Sequence, residues 1–249
     1  MNPYAIPPIL TASVIAIAGL VVYMRNPTSK IHIRFGLFCL SMFIWLFGFI
    51  GMYLSRDETS ALWWARFGFA GITFIPVFEY HFILAFLGLT HRRVLVVLYL
   101  LAFLGLPLSR TPLIYKEIWQ GFWGNYPGAG LLYSIFPLTF ACTFTGGVWF
   151  LYRALRREVE PIRRQQIKYL LVAFACGTPG LIDYIVKYKI HVYPFGYLNA
   201  LLFISLIAYG IVRYRLMDIH VVVTRTAVFT VVYAVVLGGP LAGALAWQP

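Results

Sequence analysis

The stretch at residues 67–89, FGFAGITFIPVFEYHFILAFLGL, is apolar almost throughout, and Glu79 is its single charged side chain. A helix needs about 20 such residues to cross a hydrocarbon core about 30 Å thick. Within lipid, a helix also satisfies the backbone hydrogen bonds of its own segment. The stretch therefore predicts a membrane-spanning helix, in spite of Pro76.

Similar apolar stretches recur along the whole chain. The 249 residues are 61% hydrophobic and only 11% charged, which leaves too few polar residues to coat a water-soluble globule. The alternation over about 10 residues that marks a membrane β-barrel strand does not occur. We predict an all-α polytopic membrane helix bundle of seven spans plus a partial or complete eighth. The predicted spans are 5–24, 33–54, 67–89, 94–108, 132–152, 169–186, 195–212 and 227–247.

The distribution of positive charge predicts the orientation. Fourteen of the 20 Lys and Arg residues fall in the connections after spans one, three, five and seven, and six fall on the opposite side. Because cytoplasmic loops are enriched in Lys and Arg, this bias places the N-terminus outside. The same loops explain the net charge of +12, so we expect membrane lipid rather than nucleic acid as a partner.

The longest outer connection, 109–130, is rich in aromatic residues: Trp119, Phe122, Trp123 and Tyr126. Aromatic side chains of this kind often anchor a chain at the membrane interface. Interface anchoring is therefore the favoured interpretation. The alternative is that the connection folds over the outer mouth of the bundle as a lid.

Four stretches carry a family resemblance: AYGIVRYRLMDIHVVVTRTAVF at 208–229, PVFEYHFILAFLGL at 76–89, YPGAGLLYSIFPL at 126–138 and EPIRRQQIKYLLVAFACG at 160–177. They resemble the seven-transmembrane N-terminal region of bacterial histidine kinases, over most of residues 30–225. The most specific element is the stretch 213–219. In that family it leads from the membrane bundle toward signalling modules.

The resemblance implies a sensor domain at 1–225, followed by a further hydrophobic segment at 226–249. It also implies the bacterial inner membrane, a homodimer, and a cytoplasmic kinase or other output module in the same polypeptide. The implied signal is an envelope or membrane-borne stimulus, and the implied relay residues are Arg213, Arg215 and Asp218. Arg215 and Asp218 stand three residues apart and could pair if span seven continues as a helix.

Glu79 is the first candidate for the signal-binding site. An ionisable side chain at mid-membrane costs about 3 kcal/mol on insertion scales, so its presence needs a reason. One interpretation is a protonated, hydrogen-bonded acid that fixes helix packing; the other is a ligand-binding or proton-sensing group. His81 is a further candidate, but it points about 200° away from Glu79 on the helix. The two residues therefore do not form a metal site.

A second candidate group lies near the outer end of span six. Asp183 and Lys187 have the acid-before-base spacing of a stabilising pair on one helix face, which is the favoured interpretation. The alternative is an outward-facing ligand cavity. Its candidate lining residues are Asp183, Tyr184, Asn199, Trp119 and Trp123.

No pattern in the sequence predicts catalysis. The histidines lack metal-ligand spacing such as HExxH, and residues 195–212 contain no lysine for a Schiff base. We therefore predict no catalytic residue, metal or cofactor, and an unidentified small ligand. The competing interpretation is a small multi-pass transporter or channel, for which several ionisable residues should converge at mid-membrane.

Overall fold

The computed structural model describes residues 2–214. Arg215, Asp218 and the predicted eighth span lie outside these residues. Arg213 falls in the last described helix, but its side chain also lies outside the description.

Helices make up most of the described chain. They are α1 (Ile6–Arg25), α2 (Lys30–Leu54), α3 (Glu58–Leu87), α4 (Arg92–Leu108), α5 (Ile135–Arg157), α6 (Pro161–Gly177), α7 (Ile182–Val186) and α8 (Gly196–Tyr214). Short 3-10 turns precede α1 and join α6 to α7.

Five helical segments of the described part are long and apolar enough to cross a membrane: Pro3–Arg25, Lys30–Leu54, Glu58–Leu87, Ile135–Arg157 and Pro161–Val186. Helix α4 (17 residues) and the apolar part of α8 (Gly196–Ile207) coincide with predicted spans but are shorter than these five segments. The membrane helix bundle is thus confirmed, and the count of seven spans stays a prediction.

The quoted stretch lies in α3, which has clear signals at both ends. Asp57 precedes the helix, and its carboxylate accepts a hydrogen bond from the backbone N–H of Ser60 at 2.8 Å. This bond satisfies one of the free amides of the first turn, and it lowers the pKa of Asp57. Gly88 ends the helix with φ +68°, a left-handed conformation that glycine adopts without steric cost.

Helices α2 and α3 approach each other along a seam of glycines. A methyl group on Gly48 would lie 2.6 Å from the backbone N of Gly68, and one on Gly71 would lie 2.5 Å from the backbone N of Trp45. Side chains of any size are therefore excluded there. Such small-residue contacts let membrane helices pack backbone against backbone.

Residues 115–129 form a β-hairpin, so the all-α prediction was incomplete. Strands β1 (Tyr115–Gly121) and β2 (Gly124–Ala129) pair antiparallel, with an irregularity in register between Tyr115 and Glu117. Gly124 begins β2 with φ +114°. The hairpin covers one end of the bundle, here called the hairpin end, which the charge bias predicts to be outside.

Hydrogen bonds tie the hairpin to helices and to the N-terminus. Asn125 donates to the carbonyls of Met52 (3.5 Å) and Ser55 (3.4 Å) at the end of α2. Arg66 of α3 donates to the carbonyl of Tyr115 at 3.2 Å, and Asn2 donates to the carbonyl of Trp123 at 2.9 Å. The hairpin is therefore a fixed part of the bundle.

Asn2→Ala should loosen the hairpin. The substitution removes the bond to Trp123 and the cap in which the Asn2 side-chain oxygen Oδ1 accepts from the Tyr4 amide (3.0 Å), a loss of about 1 kcal/mol. We expect faster hydrogen exchange of the hairpin amides in the variant. Asn26→Ala is the matched control, because Asn26 bonds only within its own loop in the described structure. Equal exchange in both variants would contradict the anchoring role.

Candidate functional site

A cavity of about 100 Å³ lies inside the bundle, where the core of the helices meets the core beneath the hairpin. Its walls come from α2, α3, α5, α6, α7 and α8 and are mostly apolar. Three acidic or basic residues also line it: Glu79, Asp183 and Lys187. The structure thus brings together charged groups that are far apart in the sequence.

Glu79 enters the cavity from α3 and is 1% exposed. Neither of its carboxylate oxygens has a hydrogen-bond partner among the described residues. Burial of a polar group without a hydrogen-bond partner is costly. The packing acid and the ligand-binding group therefore both stay predictions for Glu79.

Asp183 reaches the same cavity because the chain breaks its helix there. The turn Thr178–Leu181 separates α6 from α7 and brings Asp183 against the start of α8. One carboxylate oxygen accepts a hydrogen bond from the N–H of Gly196 at 2.9 Å, and the other has no partner in the described structure. A side chain at position 196 would collide with this carboxylate, so the contact requires glycine.

Lys187 is fully enclosed, at 2% exposure. Its ammonium group lies 5.3–5.8 Å from the centres of four aromatic rings, those of Phe49, Tyr126, Tyr133 and Tyr184. Such rings attract a cation through their negative faces. Burial lowers the pKa of Lys187, and the negative charge of Asp183 opposes that change.

The predicted Asp183–Lys187 pair takes a different form in the structure. The Lys187 ammonium donates to the backbone carbonyl of Asp183 at 2.8 Å, while the Asp183 carboxylate bonds to Gly196. The backbone carbonyl of Lys187 accepts from Ala129 of the hairpin at 2.8 Å. Lys187 therefore joins the cavity to its cover.

The remaining candidate residues lie at or near the cavity, or in the hairpin above it. Tyr184 lines the cavity and interacts electrostatically with Glu79 and Asp183. Asn199 lies beside Gly180 and is not among the residues that line the cavity. Trp119 and Trp123 belong to the hairpin and pack against each other, with ring centres 5.6 Å apart.

His81 lies elsewhere. Its ring nitrogen Nδ1 is 2.9 Å from the hydroxyl of Tyr99 on α4, and it does not line the cavity. This agrees with the large angle between Glu79 and His81 on the helix. Within residues 2–214, no group of three His, Cys, Asp or Glu side chains is placed to hold a metal ion.

Interface anchoring was the wrong interpretation for two of the hairpin aromatics. Trp123 and Tyr126 are fully buried beneath the hairpin, and only Phe122 is strongly exposed, at 68%. The aromatic groups mainly attach the cover to the bundle. The geometry corresponds to the alternative interpretation, in which the connection folds over the bundle.

Two features could not be recognised in the sequence. They are the aromatic side chains that line the cavity and the four rings that surround the Lys187 ammonium. Phe140, Phe144 and Phe174 line the cavity, but in the sequence they resemble any other apolar residues of a span. Lys187 was interpreted only as a partner for Asp183. A lysine close to tyrosines in sequence was the available signal, and the other rings come from distant segments.

The family model for the N-terminal 7TM region of histidine kinase matches residues 9–220. No curated protein matches the chain.

Proposed function

Because this chain belongs to the N-terminal seven-transmembrane region of histidine kinases, we propose that its cavity binds the signal of a two-component system. The signal is envelope or membrane-borne, and binding is relayed to a cytoplasmic output module in the same polypeptide. On this proposal the chain acts in the bacterial inner membrane as a homodimer surrounded by lipid.

One observation carries the proposal: Glu79 and Asp183 line a cavity inside a sensor-family bundle, and each has a buried carboxylate oxygen without a hydrogen-bond partner among the described residues. Burial of such groups costs stability unless a partner binds them. Binding sites commonly combine apolar walls with a few converging polar groups. The structure supports the cavity as the place where a small ligand is recognised.

Helix α8 provides a physical route for the relay. Gly196, Ala200 and Phe203 line the cavity, and the Gly196 N–H bonds directly to Asp183. The same helix continues to Tyr214, at the start of the family motif 213–219. We propose that a ligand between Glu79 and Asp183 shifts α8, and that Arg213, Arg215 and Asp218 transmit this shift.

Glu79→Gln should reduce the signalling response more than it reduces the amount of protein. Glutamine keeps the size of the side chain and removes its charge. We expect the range between the highest and lowest kinase output across growth conditions to fall about five-fold or more. The measurement is phosphorylation of the cognate response regulator in cells that produce the full-length protein.

Glu58→Gln is the matched control, since Glu58 is an exposed acid in the first turn of the same helix. Its output range should equal that of the wild type. An unchanged output range in Glu79→Gln, at equal protein level, would exclude Glu79 from signal binding.

The same convergence of charged residues is also a feature expected of the alternative function, a small transporter or channel. Two acids and a lysine meet in one cavity, where the sequence suggested a single deep acid. Transport of a solute across the membrane of vesicles that contain the protein would support this alternative. An output response without flux would support the sensor.

A further inference from the structure

The charges in the cavity are unequally compensated. Asp183 has the ammonium of Lys187 nearby and a hydrogen bond from Gly196. The Lys187 ammonium donates a hydrogen bond to the Asp183 carbonyl and lies among four aromatic rings. Among the side chains that the structure describes, no basic one forms an ion pair or hydrogen bond with Glu79. The group that the cavity lacks is therefore a positive charge beside Glu79.

A bare metal ion does not fit this position. Metal sites in proteins use several hard or nitrogen ligands, and no described trio of His, Cys, Asp or Glu side chains converges here. The walls around Glu79 are aromatic and aliphatic instead, with Phe140, Phe144 and Phe174 among them. Aromatic walls beside one acid suit an organic cation with an apolar body.

We propose that the cavity binds a small organic ammonium compound, with its charged nitrogen at Glu79 and its apolar part among Phe140, Phe144 and Phe174. The inference rests on the proposed function, because it names the ligand class of the same site. The Glu79 carboxylate is already buried, so binding removes little further water from it. A charge-assisted hydrogen bond to an ammonium is stronger than one between neutral groups, and the attraction between opposite charges is larger in an apolar surrounding than in water.

The cavity volume limits the ligand to one small molecule. For comparison, an apolar protein cavity of about 150 Å³ accommodates a benzene molecule. A volume of about 100 Å³ is somewhat smaller but of the same order, which sets one ring or a short branched chain as the upper limit for the ligand's apolar part. Larger amines such as polyamines or lipid headgroups with their chains exceed it.

Three one-ring probes of similar size test the charge preference: benzylamine, benzyl alcohol and benzoate. They differ chiefly in charge, which is positive, neutral and negative near pH 7. Binding is measured by calorimetry with the full-length protein in lipid nanodiscs, and the heat of empty nanodiscs is subtracted. We expect benzylamine to bind at least about ten-fold more tightly than either of the others. This comparison requires no variant.

Glu79→Gln should abolish the ten-fold preference, whereas Glu58→Gln should keep it. Equal or tighter binding of benzyl alcohol or benzoate by the wild type would overturn the inference. The same holds if no probe binds saturably. Circular dichroism of each variant establishes that the helices have formed.

Together, the binding and signalling experiments distinguish a wrong ligand class from a wrong function. If benzylamine has no advantage while Glu79→Gln still reduces the signalling range, the sensor function stands and the ligand class is wrong. If benzylamine binds through Glu79 while signalling is unaffected by Glu79→Gln, the ligand class stands and the cavity is not the signal site.

Discussion

Gly48→Ala should lower the free energy of unfolding of the bundle by about 2–3 kcal/mol, the usual cost of overpacking a tight core. The new methyl group would lie 2.6 Å from the backbone N of Gly68 and 2.8 Å from the carbonyl oxygen of Trp64. Real Cβ atoms almost never come within 3.0 Å of another heavy atom. Because the obstructing atoms of Gly68 and Trp64 are backbone, α2 and α3 must move apart.

The measurement is detergent-induced unfolding in mixed micelles, followed by circular dichroism. Gly146→Ala is the matched control, because it is also a glycine inside a helix, in α5. Its added methyl group would lie 3.6 Å from the ring of Tyr80, an ordinary contact. We expect Gly146→Ala to be neutral or slightly stabilising, since alanine favours helix more than glycine does. Equal effects of the two substitutions would show that the α2–α3 seam is not tightly packed.

The helices could be predicted from the sequence because their signals are local. An apolar run of sufficient length predicts each long helix, and charges or glycines mark the ends, as Asp57 and Gly88 do for α3. The hairpin could not be predicted in the same way. Its strands have only 7 and 6 residues, and the irregular register near Tyr115 interrupts the alternation that identifies a strand.

The candidate site was predictable only in part. Glu79 is recognisable because a charge within an apolar run is costly wherever it lies. Asp183 and Lys187 look like an ordinary helix pair, since their spacing is that of one helical turn. Their actual setting depends on the break between α6 and α7, and on Gly196, which lies 13 residues beyond Asp183. Such contacts arise from tertiary packing and leave no local pattern.

Lys187→Met should destabilise the protein by about 3–5 kcal/mol, because it removes a buried hydrogen bond and leaves the buried Asp183 charge without a nearby cation. The lysine is 2% exposed and its ammonium lies among four aromatic rings. Methionine retains most of the volume and packs well against aromatic rings. The loss therefore reports mainly the charge and its hydrogen bond to the Asp183 carbonyl.

The double variant Lys187→Met, Asp183→Asn tests the origin of that loss. Once Lys187 is removed, Asp183 holds a buried charge that no neighbouring cation compensates, and asparagine removes this charge. The asparagine carbonyl oxygen can still accept the hydrogen bond from Gly196. We expect the double variant to be more stable than Lys187→Met alone, with a coupling free energy of about 1.5 kcal/mol or more.

Lys189→Met distinguishes this buried arrangement from a general effect of losing a lysine. Lys189 lies two residues further along and pairs with Glu117 of the hairpin at 2.7 Å, but its side chain is 53% exposed. Solvent screens an exposed pair of this kind, so its removal should leave the unfolding midpoint unchanged within error. If Lys189→Met and Lys187→Met were equally destabilising, the four aromatic rings around Lys187 would make no specific contribution to the free energy of unfolding. If the double variant showed no recovery, Lys187 would stabilise the fold through the rings and the hairpin rather than through Asp183.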